Sequence, residues 1–373
     1  MSQVEILGMI GVNKERDASR GVTVSLFGGG INPADEIPAG IDPDYIAEFS
    51  QAHEASGFDK VLIGYSSATA EGFGVAGYAA SQTTTLGFLI AHRPGFVAPT
   101  LTARQAATLD QLTKGRIAMH FISGGSDVEQ RRDGDWMDHD ARYRRTDEFM
   151  GILKRVWTET EPFDHKGEFY QFEQNLSEVR TYQQPHVPLY FGGASDVAKE
   201  VGAKRADIYA LWGEPLASIK EQIADIRARA AKYDRTIRFS VSVRPILGDT
   251  EDEAWERARG ILDRVKSSVG NTIGPGKPAR LQSEGSRRLL DFASQGDIHD
   301  KRLWMPIAAT TGAAGNTTAL VGTAEQVAES LLAYHQAGAD AFIIRGFDPM
   351  QDTIDWGKEL IPMVREGAAA LAK

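Results

Sequence analysis

The chain has 373 residues, 42% hydrophobic and 25% charged, the composition of a soluble globular protein with a sizeable core. A formal net charge of -10 argues against a nucleic-acid or anionic-membrane partner, although a local basic pocket can still take an anionic substrate. With no cysteine, disulfides, thiolate catalysis and Cys-ligated metals are excluded, and no window approaches a membrane span or a cleavable leader, so the chain reads as cytoplasmic.

Residues 4–10 form an apolar run that ends at Gly11 and predicts a first strand. The glycine-rich stretch to Gly40 reads as loop. Its Gly28-Gly29-Gly30 neither follows a strand nor opens a helix, and so fails the dinucleotide test. Tyr45, Ile46, Phe49 and His53 recur at near-helical spacing over 42–55, and residues 60–64 give a second strand. A weaker helical candidate over 67–80 leads to a third strand at 86–91, halted by His92-Arg93-Pro94. Residues 99–112 predict a helix with Pro at its start and Gly115 beyond its end; the fourth strand is 116–122.

After a polar loop, Tyr143, Phe149, Leu153 and Trp157 mark one face of a helix over 142–157. The aromatic-rich excursion 158–186 suggests a hairpin. Residues 187–191 are a strand broken by Gly192 and Gly193. Ser195 and Asp196 then open a helix that closes at Gly202, and 207–212 is the next strand. A charged helix over 216–233 precedes a period-two strand at 237–244, with a further helix at 252–265. The connection 267–320 is long, with one helical candidate near 279–292. Thr323 and Gln326 have capping-box spacing at the start of a helix to about 336; residues 341–345 are the eighth strand, and a helix ends the chain. Eight strand–helix units predict an α/β fold, a (β/α)₈ TIM barrel over 1–373 as one domain. Insertions fall at about 124–141 and 158–186, with a lid-like segment at 267–320. A doubly wound open sheet is the competitor.

Barrel chemistry sits on the loops after the strands. Those ends deliver His92 and Arg93, His120 and Ser123, Gly193-Ala194-Ser195, Trp212-Gly213-Glu214, Ser242 and Arg244, and Arg345 and Phe347; His139 and Tyr143 follow the fourth strand. Two glycines before a Ser-capped helix make an anion site, or else an ordinary tight turn. Arg93 is either an ion-pair partner or a ligand, His120 a core histidine or a ligand, Trp212 packing or pocket wall. Alternation puts Ser240, Ser242 and Arg244 in the lumen and Phe239, Val241 and Val243 against the helices. An unpaired arginine is almost never fully buried, so Arg244 reads as a rim residue that needs an anion. No HxH, HExxH, GxSxG or Walker spacing occurs, and Asp138-His139-Asp140 cannot converge on a metal unaided.

ARQAATLDQLTKGR (103–116), DHDARY (138–143), LYFGGASDVAKEVG (189–202), LWGEP (211–215) and ALVGTAEQVA (319–328) resemble the bacterial luciferase-like flavin monooxygenases, most of all the two-component alkanesulfonate monooxygenases. The resemblance runs from the first strand to about Pro362. It implies reduced FMN and dioxygen, a separate NAD(P)H-dependent flavin reductase, and a homo-oligomer, dimer or tetramer. It places the FMN phosphate at His139, Tyr143, Ala194 and Ser195, with Gly193 and Ser123 nearby. His92 would line the flavin face, often through a non-prolyl cis peptide, His120 would stand beside the ring where Asn is usual, and Trp212 would cover the substrate. The departures are Ser242 and Arg244 for an Arg-x-His pair, Phe347 for Tyr, Arg345 as a new charge, Thr69 for Cys, and Thr310-Thr311 for a lid Arg. Arg244 and Arg345 would then neutralise a sulfonate, and the added hydroxyls and arginines would suit a polar one such as a sulfosugar. Rival functions are a luciferase-like oxygenase of a sulfone, aromatic or alkane, a deazaflavin-dependent oxidoreductase, and a non-catalytic flavin binder.

Overall fold

A computed structural model of the chain describes residues 4–15, 40–272, 283–313 and 317–372; the Gly28-Gly29-Gly30 stretch and part of the lid-like segment lie outside them. Eight parallel strands close into a barrel: β1 (Glu5–Ile10), β2 (Lys60–Ile63), β3 (Gly87–His92), β4 (Ile117–Phe121), β5 (Leu189–Gly192), β6 (Ile208–Trp212), β7 (Arg238–Leu247) and β8 (Ala341–Ile344). Ser240–Val243 of β7 pair with β8, and β8 pairs with β1, which completes the ring and excludes the open sheet.

Each strand is buried on both faces, as a covered parallel sheet requires. One set of alternating side chains, including Leu7, Leu89, Ala91, Tyr190 and Ile343, fills the lumen. The other set, including Phe88, Phe121, Phe239 and Val241, packs beneath the helices. An ionic plug closes the N-terminal end of the lumen: Glu5 meets Lys60 at 2.8 Å and Arg238 at 3.5 Å, and accepts from Tyr190 Oη at 3.1 Å. The opposite end is left for chemistry.

The helices that matter for that end are α1 (Pro43–Ala55), α2 (Gly72–Ser81), α3 (Pro99–Thr113), α4 (Asp127–Arg132), α5 (His139–Thr158), α6 (Asp196–Arg205), α7 (Leu216–Ala231), α8 (Glu251–Thr272), α9 (Glu284–Gln295), α10 (Pro306–Thr311), α11 (Ala324–Gln336) and α12 (Pro349–Lys358). The 158–186 insertion is the expected hairpin, Phe163–Lys166 against Gln171–Asn175. The 124–141 insertion holds α4 and is tied to the β2 end by Tyr65 Oη donating to Asp133 at 3.0 Å and Ser67 N to Glu129 at 2.7 Å.

The 267–320 segment carries more structure than a loop. Its described residues carry α9, α10 and the short strands Ile298–His299 and Leu303–Trp304, and it runs into another, Ala319–Gly322. The last of these pairs in parallel with Arg244–Leu247, so β7 runs three residues beyond its expected end and serves two neighbours in turn.

Candidate functional site

The anion cradle forms where α5 and α6 meet over the end of β5. Ser195 caps α6, its side chain accepting from Ala198 N, so the first-turn N–H groups face the glycine loop. The Tyr143 hydroxyl, delivered from the second turn of α5, is turned toward Ser195, and burial pushes its phenol above the ordinary value. At Gly193 (φ 156°) a Cβ would lie 2.6 Å from Ala198 Cβ and 3.2 Å from Tyr143 Oη, so only glycine leaves the cradle open. Tyr209 Oη donates to Gly193 O at 2.7 Å and fixes the loop from below. The His139 ring stands 4.8 Å from that of Tyr143, with its Nδ1 2.7 Å from Asp140. His139, Tyr143, Gly193, Ala194 and Ser195 are thereby brought together. An acceptor-only dianion fits this donor set, as a flavin phosphate would require.

His120 faces the lumen beside Tyr190, ring centroids 6.5 Å apart. Its Nδ1 is buried with no hydrogen-bond partner among the described residues, and burial pushes the imidazole down to about 4, so it is neutral at physiological pH. Trp212 ends β6 on the same luminal face. A Cβ on Gly285 of α9 would lie 3.0 Å from its ring, so the lid segment covers the tryptophan directly.

Four expectations are corrected. His92 does not line the lumen: Ala91 does, and alternation turns His92 outward into a nest of Phe73, Phe121 and Phe149, where burial lowers it to about 4. The one cis peptide among the described residues is Gln184–Pro185, not the bond before His92. Ser123 is buried with its hydroxyl 2.9 Å from Thr146 Oγ1 on α5, a brace for that helix rather than a cradle donor.

Arg244, in turn, is not a rim residue. It is 1% exposed because β7 continues past it beneath the strand Ala319–Gly322. Its Nη2 donates to Gly346 O at 2.6 Å and its Nε to Arg345 O at 3.2 Å, with the guanidinium 3.5 Å from the Phe347 ring centroid. Burial, with the nearby Arg345 charge, pulls it well below the ordinary arginine value. Arg345 follows directly on β8 and is half-buried.

Other open choices resolve. Arg93 is paired with Glu129 and Asp133 and stacks on Tyr65, the ion-pair reading. Asp138 caps α5 by accepting from Ala141 N, and among the described residues no group of three acidic or imidazole side chains is placed to hold a metal. Thr69 and Thr311 each donate to a nearby backbone carbonyl, Ser66 O at 3.0 Å and Ile307 O at 2.8 Å. No helix among the described residues is long and apolar enough to cross a membrane.

One buried constellation has no signature in the local sequence. Glu214, in the loop after Trp212, is almost fully buried and accepts from Arg288 of α9, with Ser218 and Gln222 of α7 as further donors. The motif LWGEP displays the acid, but nothing local marks an arginine 74 residues away as its partner.

The family model described as luciferase-like monooxygenase matches residues 22–341. Among solved structures, the riboflavin lyase RcaE, crystallised with modified FMN and riboflavin, superposes with a TM-score of 0.77 at 20% identity, covering 98% of this chain and 92% of that one. The long-chain alkane monooxygenase LadA gives 0.72 at 19% identity over 99% and 92%. The EDTA monooxygenase EmoA of Chelativorans sp. BNC1 gives 0.74 at 16% identity over 98% and 95%. At these identities the superpositions establish the fold alone.

Proposed function

This chain belongs to the luciferase-like monooxygenase family, and from that premise we propose that it is a two-component, FMNH2-dependent monooxygenase that cleaves the C–S bond of an organosulfonate with dioxygen, releasing sulfite and an aldehyde. The observation that carries the cofactor reading is the cradle of Tyr143, His139 and Ser195 over Gly193, which offers donors and a helix N-terminus to one phosphate. When bound, reduced FMN supplies the two electrons with which dioxygen is activated. The chain's own part is to hold the phosphate at α6, present neutral His120 and the small Ala91 to the ring region, and exclude water with Trp212 beneath α9.

The sulfonate reading rests on Arg345 at the β8 end, a planar cation that pairs two oxygens at once. Arg244 supports it by holding the carbonyls of Arg345 and Gly346. Reduced FMN would come from a separate NAD(P)H-dependent flavin reductase, and we read the chain as one barrel domain acting as a cytoplasmic homo-oligomer, dimer or tetramer. Exposed Leu101 and Leu112 on α3 and Tyr78 on α2 are consistent with a buried contact between copies.

One observation favours a second reading, a non-sulfonate substrate oxygenated by the same cofactor. Because Arg244 is closed in by carbonyls, the luminal mouth has less positive charge than the sequence suggested, while the lumen wall is apolar. A panel of sulfonates, incubated with the protein, a flavin reductase, FMN and NADH and assayed for sulfite, separates the two. Sulfite above the enzyme-free control from any member supports the first. No sulfite above that control from any member, with oxygenation of a sulfone or alkane, would replace it by the second.

A further inference from the structure

We propose that Arg288 and Glu214 are positioning residues that clamp helix α9 over Trp212 and so set how completely the pocket mouth is closed. The geometry is local and redundant. Gly285 and Arg288 lie one turn apart on the same face of α9, and Trp212 and Glu214 lie two residues apart on the β6 loop. Gly285 meets the indole, where a Cβ would approach Cζ3 to 3.0 Å, and Arg288 meets the carboxylate, Nε to Oε1 at 2.9 Å and Nη2 to Oε2 at 2.6 Å. The two contacts fix both the height and the rotation of the helix above the tryptophan.

The fork is built to be rigid. The Glu214 side chain is 4% exposed, and Oε2 also accepts from Ser218 Oγ at 2.5 Å and Gln222 Nε2 at 2.9 Å, both from α7. Its carbonyl accepts from Tyr334 Oη of α11 at 2.8 Å. The acid therefore cannot follow Arg288 if α9 moves; the helix must come to it. A second tie reaches the same loop, Leu216 N donating to Asp300 Oδ2 at 2.6 Å. At the N-terminal end of α9, Ser283 Cβ lies 3.6 Å from the point a Cβ of Gly125 would occupy, so the β4 loop bounds the same closure from the other side. Fully buried Leu289 docks α9 on the core without Arg288. That hold on the core is independent of the Arg288–Glu214 pair.

The consequence for closure rests on the flavin reading above; the clamp itself does not. Arg288→Gln removes the fork, and Arg288→Lys keeps the charge but not the two-point grip. In ligand-free protein, hydrogen exchange over residues 284–295 is expected to rise roughly tenfold in Arg288→Gln and less in Arg288→Lys, with α1 unchanged. In protein preloaded with reduced FMN and mixed with air-saturated buffer, transfer of two electrons and two protons to dioxygen yields hydrogen peroxide. Its release should quicken in the same order, about fivefold for Arg288→Gln. Unchanged α9 exchange, or an equal rise across the whole chain, overturns the clamp. Faster α9 exchange without faster peroxide release overturns its role in closure. If the unaltered protein binds no reduced FMN, the flavin reading fails, while the exchange result still upholds or overturns the clamp.

Discussion

Tyr143 and Ser195 reach the same point from two helices, and Gly193 leaves room for a third party between them. Removing both hydroxyls, by Tyr143→Phe with Ser195→Ala, deletes up to two charge-assisted hydrogen bonds of about 1.5–3 kcal/mol each. Reduced-FMN affinity should then fall tenfold or more, roughly, by equilibrium titration. His92 offers the complementary control. Its ring lies in an aromatic nest on the far side of β3 from the lumen, so His92→Phe should leave flavin affinity unchanged and stability at neutral pH equal or higher. A large loss of flavin binding in that variant would return His92 to the pocket. The sequence held this answer: with Leu89 and Ala91 luminal, strict alternation turns residue 92 outward. The resemblance pointed the other way, because it matches positions and not faces.

At the scale of elements, the strands and most helices were legible because glycine and proline punctuate them, and the capping box of Thr323 and Gln326 is present as its spacing implied. Thr323→Ala should cost about 1 kcal/mol and lower the melting temperature without changing flavin binding, since α11 lies away from the cradle. The end of β7 was not legible. Pro245 has no N–H to donate, but β8 ends opposite Val243, so the edge on which that N–H would fall carries no further ladder, and the other edge is taken over by Ala319–Gly322. The extra residues bury Arg244, which turns from an anion ligand into a brace for the β8 loop. Arg244→Met should therefore destabilise the fold by about 2–4 kcal/mol, measured by urea unfolding, as two carbonyls lose their donor. Arg345→Met should instead raise the KM for a sulfonate with stability little changed. An outcome with the two variants exchanged would restore the rim reading of Arg244.

For the molecule as a whole, the eight-fold count was readable from local pattern, whereas its closing contacts were not: the Glu5 plug and the Glu214 fork each join residues far apart in the chain. The barrel also stores acid sensitivity. His53 and His92 are buried and neutral, each lowered from 6.5 to about 4 by desolvation. The unfolded chain binds these protons first, so the contribution of each histidine, roughly 3 kcal/mol, should be lost as pH drops from 6.5 to about 4. Urea midpoints across that range, compared with His92→Phe, test the slope: the variant should be flatter. The central claim is that one phosphate anchors the cofactor at α6. Anaerobic titration with reduced FMN and with reduced riboflavin, which has the ring but no phosphate, measures it directly. The account predicts that FMN binds about a hundredfold tighter or more, and that Tyr143→Phe with Ser195→Ala erases most of that preference. Equal affinity for the two flavins, or a preference untouched by the double substitution, would contradict it.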